Sequence, residues 1–169
     1  TRAVLPLMRR AGYGRMLFCI SAAGLYGHRG QAAYSASKGA LLAFMHSVRL
    51  EETGYDFRAN ALAPFAETPM TAGAMPADVA RRFDAAQCAE AAAWLVHERC
   101  PANGDVIIGG GGVYRAARTV EADGARFVGG LEAAGFARRY AEVTDMRGAR
   151  AQDSADACFL RVVREGTAP

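Results

Sequence analysis

Tyr34 and Lys38 stand four positions apart in the stretch Gln31-Ala32-Ala33-Tyr34-Ser35-Ala36-Ser37-Lys38, and Ser21 lies thirteen positions before Tyr34. On a helix, positions i and i+4 share one face, so the phenol and the ammonium are neighbours. A free tyrosine hydroxyl titrates at about 10, too high to take a proton readily at neutral pH. A fixed cation beside it favours the phenolate and lowers that value, a tenfold change in the ionisation equilibrium being worth about 1.4 kcal/mol. The pair is therefore the raw material of a general acid/base. Ser21 ends an apolar run and is placed to aim its hydroxyl at the same spot.

The elements that must hold these side chains follow from periodicity. Residues 1–11 read as a helix with Ala3, Val4, Leu7 and Met8 on one face, stopped at Ala11-Gly12. Pro6 inside it predicts a kink or a late start. Arg15-Met16-Leu17-Phe18-Cys19-Ile20 is a nearly continuous apolar run, the pattern of a strand buried on both faces. Residues 21–30, with Gly24, Gly27 and Gly30, read as a turn-like loop. A long helix over 31–52 follows, with Ala36, Ala40, Phe44 and Val48 repeating every four positions and Leu41, Leu42 and Met45 widening the apolar face.

Residues 57–63 read as a second strand stopped by Pro64, and the segment from Pro64 to Met75 as a loop. Helical pieces are expected over 77–83 and 86–99, the second with Trp94-Leu95-Val96 on its core face. Asp105-Val106-Ile107-Ile108 is a third short strand, closed by Gly109–Gly112. Strand, helix, strand, helix, strand predicts an α/β fold with a parallel sheet. Ligands bind at the carboxyl ends of such strands, which are Ser21, Pro64 and the four-glycine run. Beyond Val113 the texture changes: one further strand over 113–120 and helices over 129–140 and 154–164 are expected, packing on the sheet or on a neighbouring subunit.

Composition narrows the function classes. The 169 residues are 51% hydrophobic and 22% charged, with a net charge of +3 spread along the chain. That is ordinary for a globular protein and too weakly basic to predict nucleic acid as a partner. No apolar run approaches the roughly 18 residues of a membrane span, and no signal peptide is visible, so a cytoplasmic location is the expectation. Cys19, Cys88, Cys100 and Cys158 form no Cys-x-x-Cys pair; three lie in apolar or helical contexts and are expected as buried free thiols.

Gly14-Arg15 before a strand, then Ser21, then Gly30-Gln31-Ala32-x-Tyr34-x-x-x-Lys38, resembles the active-site segment of the short-chain dehydrogenases/reductases. Asn60-Ala61-Leu62-Ala63-Pro64 and Thr68-Pro69-Met70-Thr71 resemble the stretch of that family lying under the nicotinamide. A lone Tyr-x-x-x-Lys is a weak signal; its combination with Ser21 and the second block is specific. Trp94-Leu95 with Cys100, the glycine run and Val113-Tyr114-Arg115 are similar to the (3R)-hydroxyacyl-CoA dehydrogenase unit of peroxisomal multifunctional enzymes.

The resemblance implies an NAD(P)-dependent oxidoreductase that interconverts a hydroxyl and a carbonyl group on a small-molecule substrate, with a 3-hydroxyacyl thioester as one candidate. Ser21, Tyr34 and Lys38 would be catalytic, and Tyr34, Lys38, Pro64 and Thr68 would contact NAD or NADP. It also implies a homodimer or homotetramer paired through the helices over 1–11 and 31–52. Two departures stand out. Phe65 replaces the usual glycine after Pro64, and the loop to Thr68 is one residue shorter than in many members. The family's first strand, its Thr-Gly-x-x-x-Gly-x-Gly turn and its Asn-Asn-Ala-Gly segment are not among these residues. Residues 1–112 thus resemble the C-terminal half of a Rossmann-like doubly wound sheet of about three strands, without its glycine-rich N-terminal half, and 113–169 a C-terminal extension.

Plainer readings compete at each position. Tyr34 and Lys38 can be one packed ring and one solvated amine, Ser21 a strand-end cap, and Thr68 a helix cap with Pro69 in the first turn. Ser35 and Ser37 read as local hydrogen bonders, His28 as a loop residue, and Arg9, Arg10, Arg81 and Arg82 as solvated faces. The glycine run lacks the Lys and Ser/Thr of a phosphate-binding loop and reads as a structural turn. No histidine has a second ligand at metal-site spacing. The rival function is a truncated, non-catalytic relative that serves as an association module.

Overall fold

Strand β2 (Asp56–Pro64) is the centre of the fold because its residues suit burial on both faces: Phe57, Ala59, Ala61 and Ala63 alternate with Asn60 and Leu62. The computed structural model describes residues 1–73 and 76–167. Its first unit, Thr1–Ala117, holds α1 (Leu5–Ala11), β1 (Tyr13–Cys19), α2 (Ala22–Tyr26), α3 (Ala32–Glu51), β2, α4 (Ala77–Ala80), α5 (Ala85–Leu95), β3 (Val106–Gly110) and β4 (Val113–Ala117). The second, Arg118–Pro169, holds α6 (Ala133–Arg138), α7 (Tyr140–Val143) and α8 (Ala155–Thr167).

The sheet order is β1-β2-β3-β4. The first two pairings are parallel, with Cys19 opposite Leu62 and Pro64 opposite Gly109. β4 returns antiparallel, with Ile108 opposite Arg115 and Gly110 opposite Val113. The mixed α/β architecture expected from the alternation is thus present, with an antiparallel fourth strand. Gly111 (φ 58°) and Gly112 (φ 83°) make that reversal, since both take the left-handed conformation that costs a side-chain-bearing residue most.

The period-2 alternation sorts the core into two layers. Ala59, Ala61, Ala63, Val106 and Ile108 pack with Met45 and Val48 of α3, whereas Leu62 packs with Leu95 of α5 and with Cys100. Alanines on the first face bring α3 close, and Met45 is completely buried there, worth about 1.5–3 kcal/mol of transfer free energy. Asn60 is equally buried in the second layer. Its amide donates to the carbonyls of Ala102 (3.0 Å) and Leu95 (3.4 Å), and its Oδ1 accepts from the Asp105 N–H (3.0 Å). It therefore ties β2 to the connection between α5 and β3.

Several expectations change. Helix α1 starts at Leu5 with Pro6 in its first turn, where the missing N–H costs nothing. The loop after Ser21 contains α2, because Ser21 caps it: the Ser21 hydroxyl accepts from the Ala23 N–H at 3.2 Å. On α3, Leu41 and Phe44 remain exposed, since the sheet covers only the stripe through Leu42, Met45 and Val48. On α5 only Leu95 of Trp94-Leu95-Val96 is buried, as successive helical residues point about 100° apart.

Cys88 and Cys100 are buried, Cys158 is half-buried and Cys19 is exposed; all four are free. Residues 69–73 form a turn rather than a helix, and the expected loop runs on to Ala74 and Met75, which lie outside the described residues. Arg9 is not merely solvated: it holds the buried Glu52 carboxylate beyond the end of α3. No helix among the described residues is long and apolar enough to cross a membrane.

Candidate active site

Because β1, β2 and β3 run parallel, their carboxyl ends share one edge, and the chain leaves β1 there into Ser21, α2 and the start of α3. Tyr34 lies in the first turn of α3 and is half-exposed. Lys38, one turn on, reaches back to the sheet: its Nζ donates to the main-chain carbonyl of Cys19 at 2.9 Å and lies 5.8 Å from the centre of the Tyr34 ring. The shared helical face is therefore realised, and the last residue of β1 fixes the ammonium.

Ser21 caps α2, and α2 packs on α3. Gly24 of α2 lies against α3 so closely that a Cβ there would be 2.7 Å from the Lys38 carbonyl carbon and 2.8 Å from the Gly39 nitrogen. Only a glycine allows that approach. Motif spacing does not single out Gly24; its signal is a capping serine followed by Ala-Ala-Gly, with a second glycine, Gly39, across the contact.

These contacts leave hydrogen-bonding capacity at the edge. Ser21 uses one lone pair on Ala23 and keeps its hydroxyl proton to donate. Lys38 spends one of three donors on Cys19. Ser37 is exposed and donates to the Tyr34 carbonyl of its own helix at 2.7 Å, which fits the expectation of a local role.

The loop after β2 begins at Pro64, opposite Gly109. Thr68 does not cap a helix. Its N–H donates to the Thr71 hydroxyl at 2.8 Å, and that hydroxyl donates in turn to the Ala66 carbonyl at 2.8 Å. The Thr68 hydroxyl lies 3.2 Å from that of Thr71. The loop is thus braced from within. The Glu67 N–H donates to the Phe83 carbonyl at 2.7 Å, joining the loop to the segment after α4. Beneath it, Cys88 faces the carbonyls of Phe65 (3.5 Å) and Gly109 (3.9 Å), and the Tyr114 hydroxyl donates toward its sulfur at 4.0 Å. Burial, with that thiol alongside, holds the Tyr114 hydroxyl above its ordinary range.

Of the histidines, His28 and His97 are exposed, the latter stacked on Trp94, while His46 is half-buried and held below its usual value by burial and by Arg49. Among the described residues, no three His, Cys, Asp or Glu side chains gather as a metal site.

The short chain dehydrogenase family model matches residues 1–98. A short-chain type dehydrogenase/reductase of Mycobacterium tuberculosis is 36% identical over 149 residues, covering 88% of this chain and 52% of that protein. The mouse peroxisomal multifunctional enzyme type 2 is 36% identical over 112 residues, covering 66% of this chain and 15% of that protein. In structure, the chain is similar to the full-length peroxisomal multifunctional enzyme type 2 of Drosophila melanogaster, with a TM-score of 0.84 and 25% identity over 98% of this chain and 31% of that one. A short chain dehydrogenase of Mycobacterium avium gives a TM-score of 0.64 at 27% identity, covering 83% of this chain and 49% of that one. The chain thus spans about half the length of its mycobacterial relatives and less of the multifunctional enzymes.

Proposed function

This chain belongs to the short-chain dehydrogenase/reductase family, and from that premise we propose that it carries the proton-transfer part of an NAD(P)-dependent oxidoreductase interconverting a hydroxyl and a carbonyl group. The observation that carries the proposal is Lys38 bonded to the Cys19 carbonyl while facing the Tyr34 ring, at the edge where Ser21 keeps a free hydroxyl proton. Tyr34 exchanges a proton with the substrate oxygen, Ser21 donates a hydrogen bond to that oxygen, and Lys38 holds the site together from the end of β1. The multifunctional-enzyme relatives support a 3-hydroxyacyl thioester as the substrate class.

A nicotinamide cofactor, when bound, supplies the hydride. The residues present suit its nicotinamide-ribose end: Lys38 has spare donors, and the loop from Pro64 to Thr68 offers a braced main chain beside them. They offer no cradle for its pyrophosphate among the described residues, since Gly109–Gly112 closes a hairpin instead of opening a helix. Exposed Leu7 on α1, with Leu41 and Phe44 on α3, supports a homodimer paired through those helices.

The test is turnover of a 3-hydroxyacyl thioester with NAD+ or NADP+, followed by absorbance of the reduced nicotinamide. Tyr34→Phe should lower kcat by about 10²–10⁴-fold with an unchanged circular dichroism spectrum. An unaltered rate in Tyr34→Phe would overturn its role in proton transfer, and absence of turnover in the unsubstituted protein would favour a non-catalytic association module.

A further inference from the structure

Beside the Pro64–Thr68 loop lies a cavity of about 540 Å³, within the size range of small-molecule sites. Its position follows from strand alternation. Ile108 and Gly110 on β3, and their partners Arg115 and Val113 on β4, share the sheet face that carries α3. Phe65, at the end of β2, and Val79, Arg82 and Phe83 enclose the open end. Gly110 keeps loop and hairpin together: a Cβ there would sit 2.0 Å from the Phe65 carbonyl oxygen.

The walls are mostly apolar, yet two cations stand among them. Arg82 and Arg115 are both exposed, and among the described residues neither guanidinium makes an ion pair or hydrogen bond. Arg9, Arg15 and Arg58 of this unit each hold a carboxylate, and what sets Arg82 and Arg115 apart from its other arginines is that both line the cavity. A guanidinium presents a fixed fork of donors that matches the oxygens of a carboxylate or phosphate. Neighbouring strands lie about 4.8 Å apart, so the β3 edge is about 10 Å from the β1 edge where Lys38 is anchored. A molecule with its reacting oxygen at Tyr34 and a spacer of that length reaches the cavity.

We propose that the cavity holds the far end of the substrate, and that Arg82 and Arg115 receive an anionic group carried on an apolar body. Calling that ligand the substrate rests on the oxidoreductase reading; the chemistry of the cavity does not. The test is calorimetric titration of the 169-residue chain with octanoate, octyl phosphate and octanol. The expected result is that at least one anion binds about tenfold or more tightly than octanol, the tighter of the two identifying the anionic group as carboxylate or phosphate. Replacing both arginines (Arg82→Gln with Arg115→Gln) should weaken that anion about tenfold and leave octanol within about twofold, whereas Val113→Trp should abolish both by filling the space.

Equal affinity for octanol and both anions, no binding of either anion, or anion binding that survives the double substitution would overturn the proposal. Turnover measured with and without Tyr34→Phe separates the two readings. In the variant, anion binding retained while turnover is lost supports both, and anion binding retained with turnover intact removes Tyr34 from the proton transfer. Anion binding by an unsubstituted protein that shows no turnover removes the oxidoreductase reading while leaving the anion site standing. If anionic and neutral hydroxy substrates of equal length turn over with the same kcat/KM, the cavity is not the substrate's seat.

Discussion

Gly24 and Lys38 lie in backbone contact: a methyl group on Gly24 would come within 2.7 Å of the Lys38 carbonyl carbon. A short helix capped by one proposed catalytic residue is thereby pressed against the helical turn that carries another.

Gly24→Ala should therefore push α2 away from α3 at the very residue whose ammonium must reach Cys19. Overpacking of this kind costs about 1–3 kcal/mol. Thermal unfolding should register that loss, and kcat/KM should fall about tenfold or more as Lys38 is displaced. Gly39→Ala provides the control. Its Cβ would meet only the Gly24 carbonyl oxygen, at 3.4 Å, and the effect on both measurements should be smaller.

Lys38→Met removes the ammonium but keeps most of the stem. Its bond to the Cys19 carbonyl is exposed, so stability should change by less than about 1 kcal/mol. Turnover should drop by about 10² or more. Lys38→Arg, with a longer and planar head, should not restore the rate. Steady-state kinetics beside a urea titration separates the two effects.

Glu52 links α1 to the end of α3. Bonding to Arg9 holds its carboxyl below the usual value of 4.5, against the opposing pull of burial, and Tyr55 donates to it at 2.7 Å. Its contribution to stability is thus complete above the unfolded value and fades as pH falls through the lower folded one. On the alkaline side the sign reverses. Burial, with Glu52 beside it, pushes the Tyr55 hydroxyl up to about 12, so that share is present below 10 and lost as pH rises through about 12. Urea midpoints across pH should show both slopes; Glu52→Gln should flatten the acid limb and Tyr55→Phe the alkaline one.

Asn60 makes three hydrogen bonds out of contact with solvent. Asn60→Leu should cost on the order of 3 kcal/mol by removing its hydrogen bonds to the Asp105 N–H and the Ala102 carbonyl. Denaturant unfolding measures this directly. Turnover per folded molecule should persist, because these bonds lie in the α5 layer, away from the site.

The strands and the long helix were legible because continuous apolar runs and four-residue repeats mark burial. Ser21, Tyr34 and Lys38 stood out because their residue types are rare in that combination. Less visible was anything set by backbone proximity. Gly24 looked like loop punctuation, since a glycine chosen for close approach reads the same as one chosen for a turn. Phe44 and Trp94 looked like core because periodicity reports a face, not how much of it a sheet of four strands can cover. Arg9 looked solvated because its partner, Glu52, is 43 residues away.

The ammonium of Lys38 is held by a main-chain oxygen, and this makes its placement insensitive to the identity of residue 19. Every amino acid at that position presents the same carbonyl, so the exposed cysteine is free to vary while the anchor survives. What encodes the anchor is the register of β1 on β2, with Cys19 opposite Leu62. That register is guarded at the other end of the strand by Gly14, where a Cβ would strike Phe57 at 2.7 Å and Met8 at 2.8 Å. Mutational fragility of the site is thereby moved to a glycine at the far end of β1 that touches none of its chemistry.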